Sequence, residues 1–327
     1  MNNLTLVTGA EGFIGSHLVE QLIQRGQRLR ALVRYDFQNR WGWLDTLPAD
    51  ILKEVEVFPA DICDPFAVRK AVSQCQTVYH LAALISIPYS YVAPTSYVDT
   101  NVRGTLNVLQ ACLDENVQLL VHTSTSETYG TAQYTPIDER HPLVGQSPYS
   151  ASKIGADKLA ESFHLSFGLP VATVRPFNTF GPRQSTRAVI PTIATQALSG
   201  LEHIRLGALS PVRDLTYVKD TVRGFMAVAN SDKAIGRVTN IGSGKGISIG
   251  ELAKLILELC DSSAKIVLDK QRVRPEASEV HQLICDSTWA MQNLDWRPQY
   301  SLREGLAETV TWIRDNLEYY KTGNYTV

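Results

Sequence analysis

The sequence predicts an α/β protein, in which a doubly wound parallel sheet is accompanied by a smaller, mixed α/β lobe. In residues 1–180, short apolar runs alternate with longer segments of helical periodicity. Such alternation is typical of a parallel sheet with helices on both faces. The first apolar run, Leu4–Thr8, leads into glycines at 9, 12 and 15 and then into a helical pattern over 16–23. That order predicts a strand, a tight turn and a helix.

The glycine turn predicts a dinucleotide site. Its spacing, G-x-x-G-x-x-G, is one residue off the commonest dinucleotide fingerprint, and a strand and a helix flank it as that fingerprint requires. Glycines let a pyrophosphate approach the backbone, and the helix N-terminus attracts its charge. Similar glycines also make plain strand-to-helix turns, so the interpretation depends on catalytic residues further along the chain. It assigns cofactor binding to Gly9, Gly12, Phe13, Ile14 and Gly15.

The remaining elements are predicted in chain order. Strands are expected at 28–33, 55–58, 77–81, 119–122 and 171–174, and helices at 67–73, 95–116 and 147–167. From Gly181 onward turns and prolines become more frequent, although a helix at 217–228 and a strand at 237–242 are expected to return to the large unit. We therefore predict a dinucleotide-binding domain over 1–180 with 213–244, and a substrate lobe over 181–212 and 245–327. The cleft between the two is the expected substrate site.

The composition of the chain argues against nucleic acid and membrane partners. The chain has 327 residues, 44% hydrophobic and 20% charged, with a net charge of -2. No basic field points to nucleic acid or an anionic membrane. No apolar run approaches the length of about 20 residues that a spanning helix needs. The five cysteines form no C-x-x-C pair and fit reduced thiols, so we expect a cytoplasmic protein without a metal site.

Two segments carry the predicted chemistry. Tyr149 and Lys153 are four residues apart in a predicted helix, so they lie on one face about one turn apart. An ammonium beside a phenol favours the phenolate and makes the tyrosine a usable base. Upstream, the hydroxyl-rich run from Thr123 ends at Glu127, a carboxylate that could act as a second base. Isolated Tyr–Lys pairs at this spacing are common on surfaces, but the hydroxyl run and the glycine motif favour a site that moves a hydride and protons.

The chain resembles the extended short-chain dehydrogenases/reductases that modify nucleotide sugars, over nearly its whole length. Thr125-Ser126-Glu127 followed by Tyr129-Gly130 resembles the 4,6-dehydratases and the UDP-glucuronate decarboxylases. Residues 126–134 and 181–191 look most like the UDP- or GDP-N-acetylglucosamine 4,6-dehydratases of legionaminic acid biosynthesis. Further matching segments are Asp61-Ile62, His80-Leu81-Ala82-Ala83, Asn101-Val102-Arg103-Gly104-Thr105, Arg175-Pro176-Phe177-Asn178 and the run from Arg213 to Asp220.

The resemblance implies a Rossmann domain and a role for each catalytic candidate. Tyr149 would take a proton from the sugar hydroxyl at C4 while Lys153 lowers its pKa and holds the nicotinamide ribose. Thr125 would hydrogen-bond the same hydroxyl. Glu127 would remove the proton at C5 so that water leaves from C6; the alternative is a structural glutamate. The related glucose dehydratases carry an aspartate where this chain has Ser126, so either Glu127 or a water held by Ser126 would supply the proton for C6.

Cofactor choice rests on the end of the second strand. An NAD-binding domain usually places an acidic residue there for the adenosine ribose, but this chain has Val33 followed by Arg34. The Arg34 guanidinium could pair with a 2′-phosphate, which favours NADP. Alternatively, Asp36 could turn toward the ribose and bind NAD. Arg34 could also be a plain surface charge. The resemblance places Asp61 and Ile62 beside the adenine, and Ala82 and Ala83 where backbone approaches the cofactor.

Candidates for binding the nucleotide diphosphate are Asn178, Arg213 and Arg274, while Arg183 and Arg187 are either substrate contacts or surface charges. The sequence therefore predicts an NAD- or NADP-dependent nucleotide-sugar 4,6-dehydratase. A UDP-glucuronate decarboxylase, a 4-epimerase and an inactive sugar-nucleotide binding protein remain as alternatives. In relatives the helices at 95–116 and 149–167 pair across a dimer, which implies a homodimer.

Overall fold

A computed structural model describes residues 4–273 and 275–320. The strands in this part of the chain are β1 (Leu4–Thr8), β2 (Arg28–Val33), β3 (Val55–Pro59), β4 (Cys75–His80), β5 (Leu119–Thr123), β6 (Val171–Pro176), β7 (Thr179–Phe180), β8 (His203–Leu206), β9 (Val212–Asp214), β10 (Thr216–Tyr217), β11 (Val238–Ile241), β12 (Gly246–Ser248), β13 (Lys265–Leu268) and β14 (Gln282–Leu283). Among the described residues, β11, β6, β5, β4, β1, β2 and β3 form, in that order, one parallel sheet. The predicted doubly wound parallel fold is confirmed.

The α-helices of the described residues are α1 (Phe13–Gln24), α2 (Ala49–Leu52), α3 (Pro65–Val72), α4 (Ile87–Val92), α5 (Pro94–Tyr97), α6 (Gly104–Asp114), α7 (Pro148–Phe167), α8 (Val189–Leu198), α9 (Val218–Ala229), α10 (Ile249–Leu259), α11 (Thr288–Asn293) and α12 (Leu302–Asp315). Helices α1, α3, α6, α7 and α9 cover the two faces of this sheet. In the described residues no helix is both long and apolar enough to cross a membrane.

The prediction of one uninterrupted helix at 95–116 is wrong, because its middle is not α-helical. A π-helical segment, Val98–Arg103, joins α5 to α6. Such widened turns are frequent at functional sites. Here the segment directs the buried Asn101 amide to Ser152 Oγ on α7, at 2.9 Å, and to both backbone polar groups of Leu84. Apolar periodicity does not encode this change of pitch.

The core follows from the two-residue period of the strands. Leu6 and Leu120 point to the face covered by α3, α6 and α7, while their neighbours Val7 and Val121 point to the face covered by α1 and α9. Because both faces are covered, the central strands are rich in buried apolar residues, as is typical of parallel strands.

The sheet reverses its direction of winding between β1 and β4, since β1 pairs with β2 on one side and β4 on the other. Ligands of open α/β sheets bind outside the carboxyl ends of strands at such a point. Strand β11 pairs with β6 and so extends the large sheet from within the segment 213–244. The remaining strands form small sheets, β12–β9–β14, β13–β8 and β10–β7. The division into two domains along the predicted boundaries stays a prediction.

Candidate active site

Helix α7 brings Tyr149 and Lys153 to the carboxyl end of β5. Ser147 caps the helix by accepting from the Ser150 backbone N–H at 3.1 Å, the Ser150 side chain returns the bond to the Ser147 N–H, and Pro148 occupies the first turn. This start places Tyr149 in the first turn and Lys153 in the second, both buried. The two residues therefore lie on the face of α7 that packs against the sheet.

The hydroxyl run places its carboxylate beside the same tyrosine. Thr125 caps a short 3₁₀ helix, Ser126–Tyr129, and its hydroxyl accepts from the Glu127 backbone N–H at 3.3 Å. A side-chain hydrogen bond from Thr125 favours the phenolate of Tyr149, and the Glu127 charge disfavours it. The structure thus brings together Thr125, Glu127, Tyr149 and Lys153, with Ser126 buried between the first two in the chain. Glu127 itself is half-buried.

The electrostatics differ from the sequence expectation. Burial raises the pKa of the Tyr149 phenol, and this outweighs the opposing hydrogen bond from Thr125. The prediction of a net lowering is therefore wrong for this arrangement. The Lys153 ammonium donates to the Thr123 carbonyl oxygen at 2.6 Å, and burial lowers the pKa of Lys153 to about 8 against the opposing charge of Asp157. Lys153 is tied to the end of β5, two residues before Thr125, whose hydroxyl acts on Tyr149.

A buried polar network behind this site was not predicted. Asp157, one turn beyond Lys153 on α7, accepts from Ser124 Oγ at 2.5 Å, from Arg175 Nη2 at 2.8 Å and lies 3.0 Å from His122 Nε2. Arg175 also donates to Ser124 Oγ at 3.0 Å. The i, i+4, i+8 spacing of residues 149, 153 and 157 was the only sequence signal for this third member.

The glycine turn has the shape that a dinucleotide needs. Gly9 has φ +67°, and a Cβ there would lie 2.8 Å from the Cα and N of Ala82; a Cβ at Gly15 would lie 2.1 Å from the Gly9 carbonyl oxygen. Gly12 is the N-cap of α1 and has no side chain to occupy the amide groups of that helix end. The Ala82 N–H donates to Thr8 Oγ1 at 3.1 Å, which joins the ends of β1 and β4. These residues fit a pyrophosphate bound at the helix N-terminus.

The other predicted cofactor residues make local packing contacts and turn hydrogen bonds in the structure. Phe13 lies edge-on to the His17 ring, and Ile14 packs on the core. Ile62 is buried and fills the space beside Gly104, where a Cβ would lie 2.7 Å from its Cδ1. Asp61 is exposed and accepts from the Cys63 N–H at 2.8 Å. Ala83 is half-buried and comes directly after Ala82.

The adenosine end of the predicted site differs most from expectation. Arg34 is exposed, and Val33 is fully buried. The Asp36 carboxylate accepts from the Gln38 N–H at 2.7 Å and lies 3.8 Å from Arg40 Nε, so it stabilises its own turn. The side chain that meets the end of β2 is instead Glu11, whose Oε1 accepts from the Arg34 N–H at 3.1 Å. Sequence reasoning passed over Glu11 because it occupies a variable position of the glycine motif.

Two of the substrate candidates present buried donors near the strand ends. Asn178 follows β6, and its Nδ2 is buried without a hydrogen-bond partner among the described residues. Arg213 is buried in β9 and donates to the Val212 carbonyl at 3.1 Å and to Glu279 Oε1 at 3.3 Å. An orphaned amide and a buried guanidinium suit phosphate oxygens.

The other candidate arginines are placed differently. Arg183 forms an ion pair with Glu20 of α1, at 2.9 Å, and its chain neighbour Pro182 accepts from His17 at 3.0 Å, so this segment is fixed to α1. Arg187 is exposed, and its charge acts on Tyr97, which packs edge-on against Tyr149 at 6.2 Å between ring centroids. Arg274 lies outside the described residues.

Comparison with known proteins identifies the class. The family model described as GDP-mannose 4,6 dehydratase matches residues 6–309. A dTDP-glucose 4,6-dehydratase of Actinoplanes sp. is 33% identical over 96% of this chain and 99% of its own. A UDP-N-acetyl-alpha-D-glucosaminuronate decarboxylase of Bacillus cytotoxicus is also 33% identical, over 96% of this chain and 99% of its own. The crystal structure of DesIV, a dTDP-glucose 4,6-dehydratase from Streptomyces venezuelae with NAD bound, superposes with a TM-score of 0.88 at 30% identity, covering 97% of this chain and 99% of the other.

The fold, the glycine turn and the Thr–Tyr–Lys arrangement define a nucleotide-sugar-modifying enzyme of the short-chain dehydrogenase/reductase class. The chain belongs to the GDP-mannose 4,6 dehydratase family, and the relatives similar to it include a dehydratase and a decarboxylase.

Proposed function

We propose that this enzyme is a nucleotide-sugar 4,6-dehydratase, which converts UDP- or GDP-N-acetylglucosamine to the 4-keto-6-deoxy sugar. The observation that supports the proposal is the Glu127 carboxylate, whose residue contacts Thr125 through its backbone N–H and whose charge acts on Tyr149. Oxidation at C4 needs only the tyrosine, whereas elimination of water across C5 and C6 needs a second base. The choice of N-acetylglucosamine rests on the resemblance of residues 126–134 and 181–191 to dehydratases of that substrate.

The cofactor we propose is NAD, as in the structure of DesIV. Gly9, Gly12, Gly15 and Ala82 would hold its pyrophosphate, and Lys153 would hold the nicotinamide ribose. When bound, it would accept a hydride from C4 and later return the hydride to C6. The cofactor is thereby regenerated, and the net reaction is the loss of one water from the sugar.

The protein's own groups would move the protons. Tyr149 would take the proton of the C4 hydroxyl, with Thr125 stabilising the phenolate that forms. The ketone at C4 acidifies the C5 proton, which Glu127 would remove as the C6 hydroxyl leaves. That hydroxyl requires a proton to leave as water, and Glu127 or a water held by Ser126 would supply it. As the hydride reaches C6, C5 would take a proton from solvent through Glu127, and Tyr149 would return its proton to solvent.

Substrate phosphates would bind Asn178 and Arg213. The Asn178 amide carries an unused buried donor, and the Arg213 guanidinium lies on β9, in the small sheet β12–β9–β14. Two further parts of the proposal rest on other grounds: the homodimer through the helices at 95–116 and 149–167 rests on resemblance, and the cytoplasmic location rests on the pattern of reduced cysteines. Val98 and Leu106 present exposed apolar side chains within 95–116. Light scattering in solution would measure the oligomeric state.

A decarboxylase is the second candidate, since the relative from Bacillus cytotoxicus is as similar as the dehydratase from Actinoplanes. It would share the oxidation at C4 but release carbon dioxide from a uronic acid. A panel of UDP-, GDP- and dTDP-linked hexoses and uronic acids, followed by mass spectrometry, separates the reactions without added oxidant. We expect one hexose to lose the mass of one water. Loss of carbon dioxide from a uronic acid would identify a decarboxylase. A product of unchanged mass but altered sugar would identify an epimerase. No conversion of any sugar in the panel would favour a binding protein.

A further inference from the structure

The carboxylate of Glu11 lies at the end of β2, where a dinucleotide domain usually has an acidic residue of its second strand. In this chain β2 ends in Val33, which is fully buried, and the adjacent Arg34 contributes its backbone N–H to Glu11 Oε1 at 3.1 Å. Asp36, the other acid near this strand, is engaged with the Gln38 N–H. The acidic side chain at the end of β2 therefore comes from the glycine turn after β1 and not from β2 itself.

The backbone of Glu11 is fixed by the segment that covers it. The Trp43 N–H donates to the Glu11 carbonyl oxygen at 3.0 Å, and Gly42, with φ +56°, lies so close that a Cβ would be 2.8 Å from the same oxygen. The second carboxylate oxygen, Oε2, is buried and has no hydrogen-bond partner among the described residues. An acceptor with unused capacity is thus held at the edge of the dinucleotide groove, and a buried acceptor without a donor is costly unless a ligand supplies one.

The two possible cofactors differ at the position that this carboxylate would meet. NAD has a ribose 2′-hydroxyl, which can donate to a carboxylate, whereas NADP has a phosphate dianion, which a carboxylate repels. We propose that Glu11, supplied by the glycine turn in place of an acid on β2, recognises the adenosine ribose and makes this enzyme select NAD over NADP. The inference rests on the proposed use of a dinucleotide, and it revises the role that the sequence suggested for Arg34.

The test is direct binding, which does not depend on turnover. Equilibrium titrations of purified protein with NAD and with NADP give the ratio of their dissociation constants. We expect wild type to bind NAD more tightly by about 10–100-fold, the scale of one charge-assisted hydrogen bond. Glu11→Gln keeps an acceptor for the Arg34 N–H but removes the charge. It should therefore reduce the preference for NAD, measured as the Kd of NADP divided by the Kd of NAD, about tenfold or more. Arg34→Ala should leave the preference for NAD in place.

Two variants keep the test decisive. Asp36→Asn is the matched control on the neighbouring turn and should leave the ratio unchanged. If Glu11→Gln does not fold, as judged by its thermal unfolding, Glu11→Asp retains the charge and should still discriminate against NADP while binding NAD less tightly. Wild type that prefers NADP, an unchanged ratio in Glu11→Gln, or a ratio that collapses in Asp36→Asn would each overturn the proposal. None of these outcomes depends on which sugar reaction the enzyme performs.

Discussion

Asp157 and Arg175 form a fully buried ion pair, with Arg175 Nη2 2.8 Å from Asp157 Oδ2, two helical turns along α7 from Tyr149. Through Asp157 the pair also holds Ser124, the residue between Thr123, which binds Lys153, and Thr125, which faces Tyr149. The end of β5 is therefore attached to α7 by Lys153 and by Asp157. This double attachment fixes the distance between the hydroxyl run and the tyrosine.

Replacing Asp157 by Asn should destabilise the fold strongly. Without its charge, the buried cations Arg175 and Lys153 lose their counter-ion, and breaking a buried pair costs about 3–5 kcal/mol. Urea unfolding at neutral pH measures the loss. Glu161→Gln is the matched control, because Glu161 lies on the same helix, is half exposed and pairs with the exposed Lys158; it should change stability by less than about 0.5 kcal/mol. Equal effects of the two substitutions would refute the structural role given to Asp157.

Much of the scaffold could be predicted because its signals are local. The bounds of β1 and β2 follow directly from apolar runs, and Ser147-Pro148 marks the start of α7. The glycines at 9, 12 and 15 and the spacing of Tyr149 and Lys153 are likewise readable along the chain. These features depend on neighbours within about one helical turn or one strand, which is the range that periodicity reports.

The features that could not be predicted depend on contacts between distant segments. Asp157 looks like any polar residue in an exposed helix turn until β6 brings Arg175 against it. Glu11 is a variable position of the glycine motif until the end of β2 lies beside it. The raised pKa of Tyr149 arises from burial, which a sequence does not show, whereas the spacing to Lys153 suggested the opposite. In each case tertiary packing, and not local pattern, decides the chemistry.

Lys153 should make stability depend on pH in the alkaline range. Burial lowers its pKa in the folded protein to about 8, so between about pH 8 and its ordinary value of 10.5 the unfolded chain binds the proton and the folded chain does not. Stability attributable to Lys153 must therefore rise with pH across this window. Relative to Lys153→Met, wild type should gain up to about 1.4 kcal/mol per pH unit in urea unfolding. The stability difference between wild type and Lys158→Met, a substitution at an exposed position, should not change with pH. A difference between wild type and Lys153→Met that did not change with pH would contradict the burial of a charged ammonium.

Tyr149→Phe should abolish most turnover while leaving substrate affinity intact. Phenylalanine keeps the ring that packs against Tyr97 but removes the oxygen that takes the C4 proton. Removal of a general base costs on the order of 10²–10⁴ in rate. Steady-state kinetics and titration with the nucleotide sugar separate kcat from binding. Turnover within a few-fold of wild type would remove Tyr149 from the mechanism.

Glu127→Gln separates elimination from the rival reactions. If Glu127 removes the C5 proton, the variant should still oxidise C4, so the 4-keto sugar and the absorbance of reduced nicotinamide should both accumulate without a 6-deoxy product. Wild type in deuterated water should place solvent deuterium at C5 of the product, because a carboxylate exchanges its proton with solvent. Glutamine keeps the size of the side chain, and Glu139→Gln is the matched control, since Glu139 accepts from the Asn240 N–H at 2.9 Å and has no assigned chemical step. If Glu127→Gln yields 6-deoxy product at nearly the wild-type rate, Glu127 is not the base that removes the C5 proton.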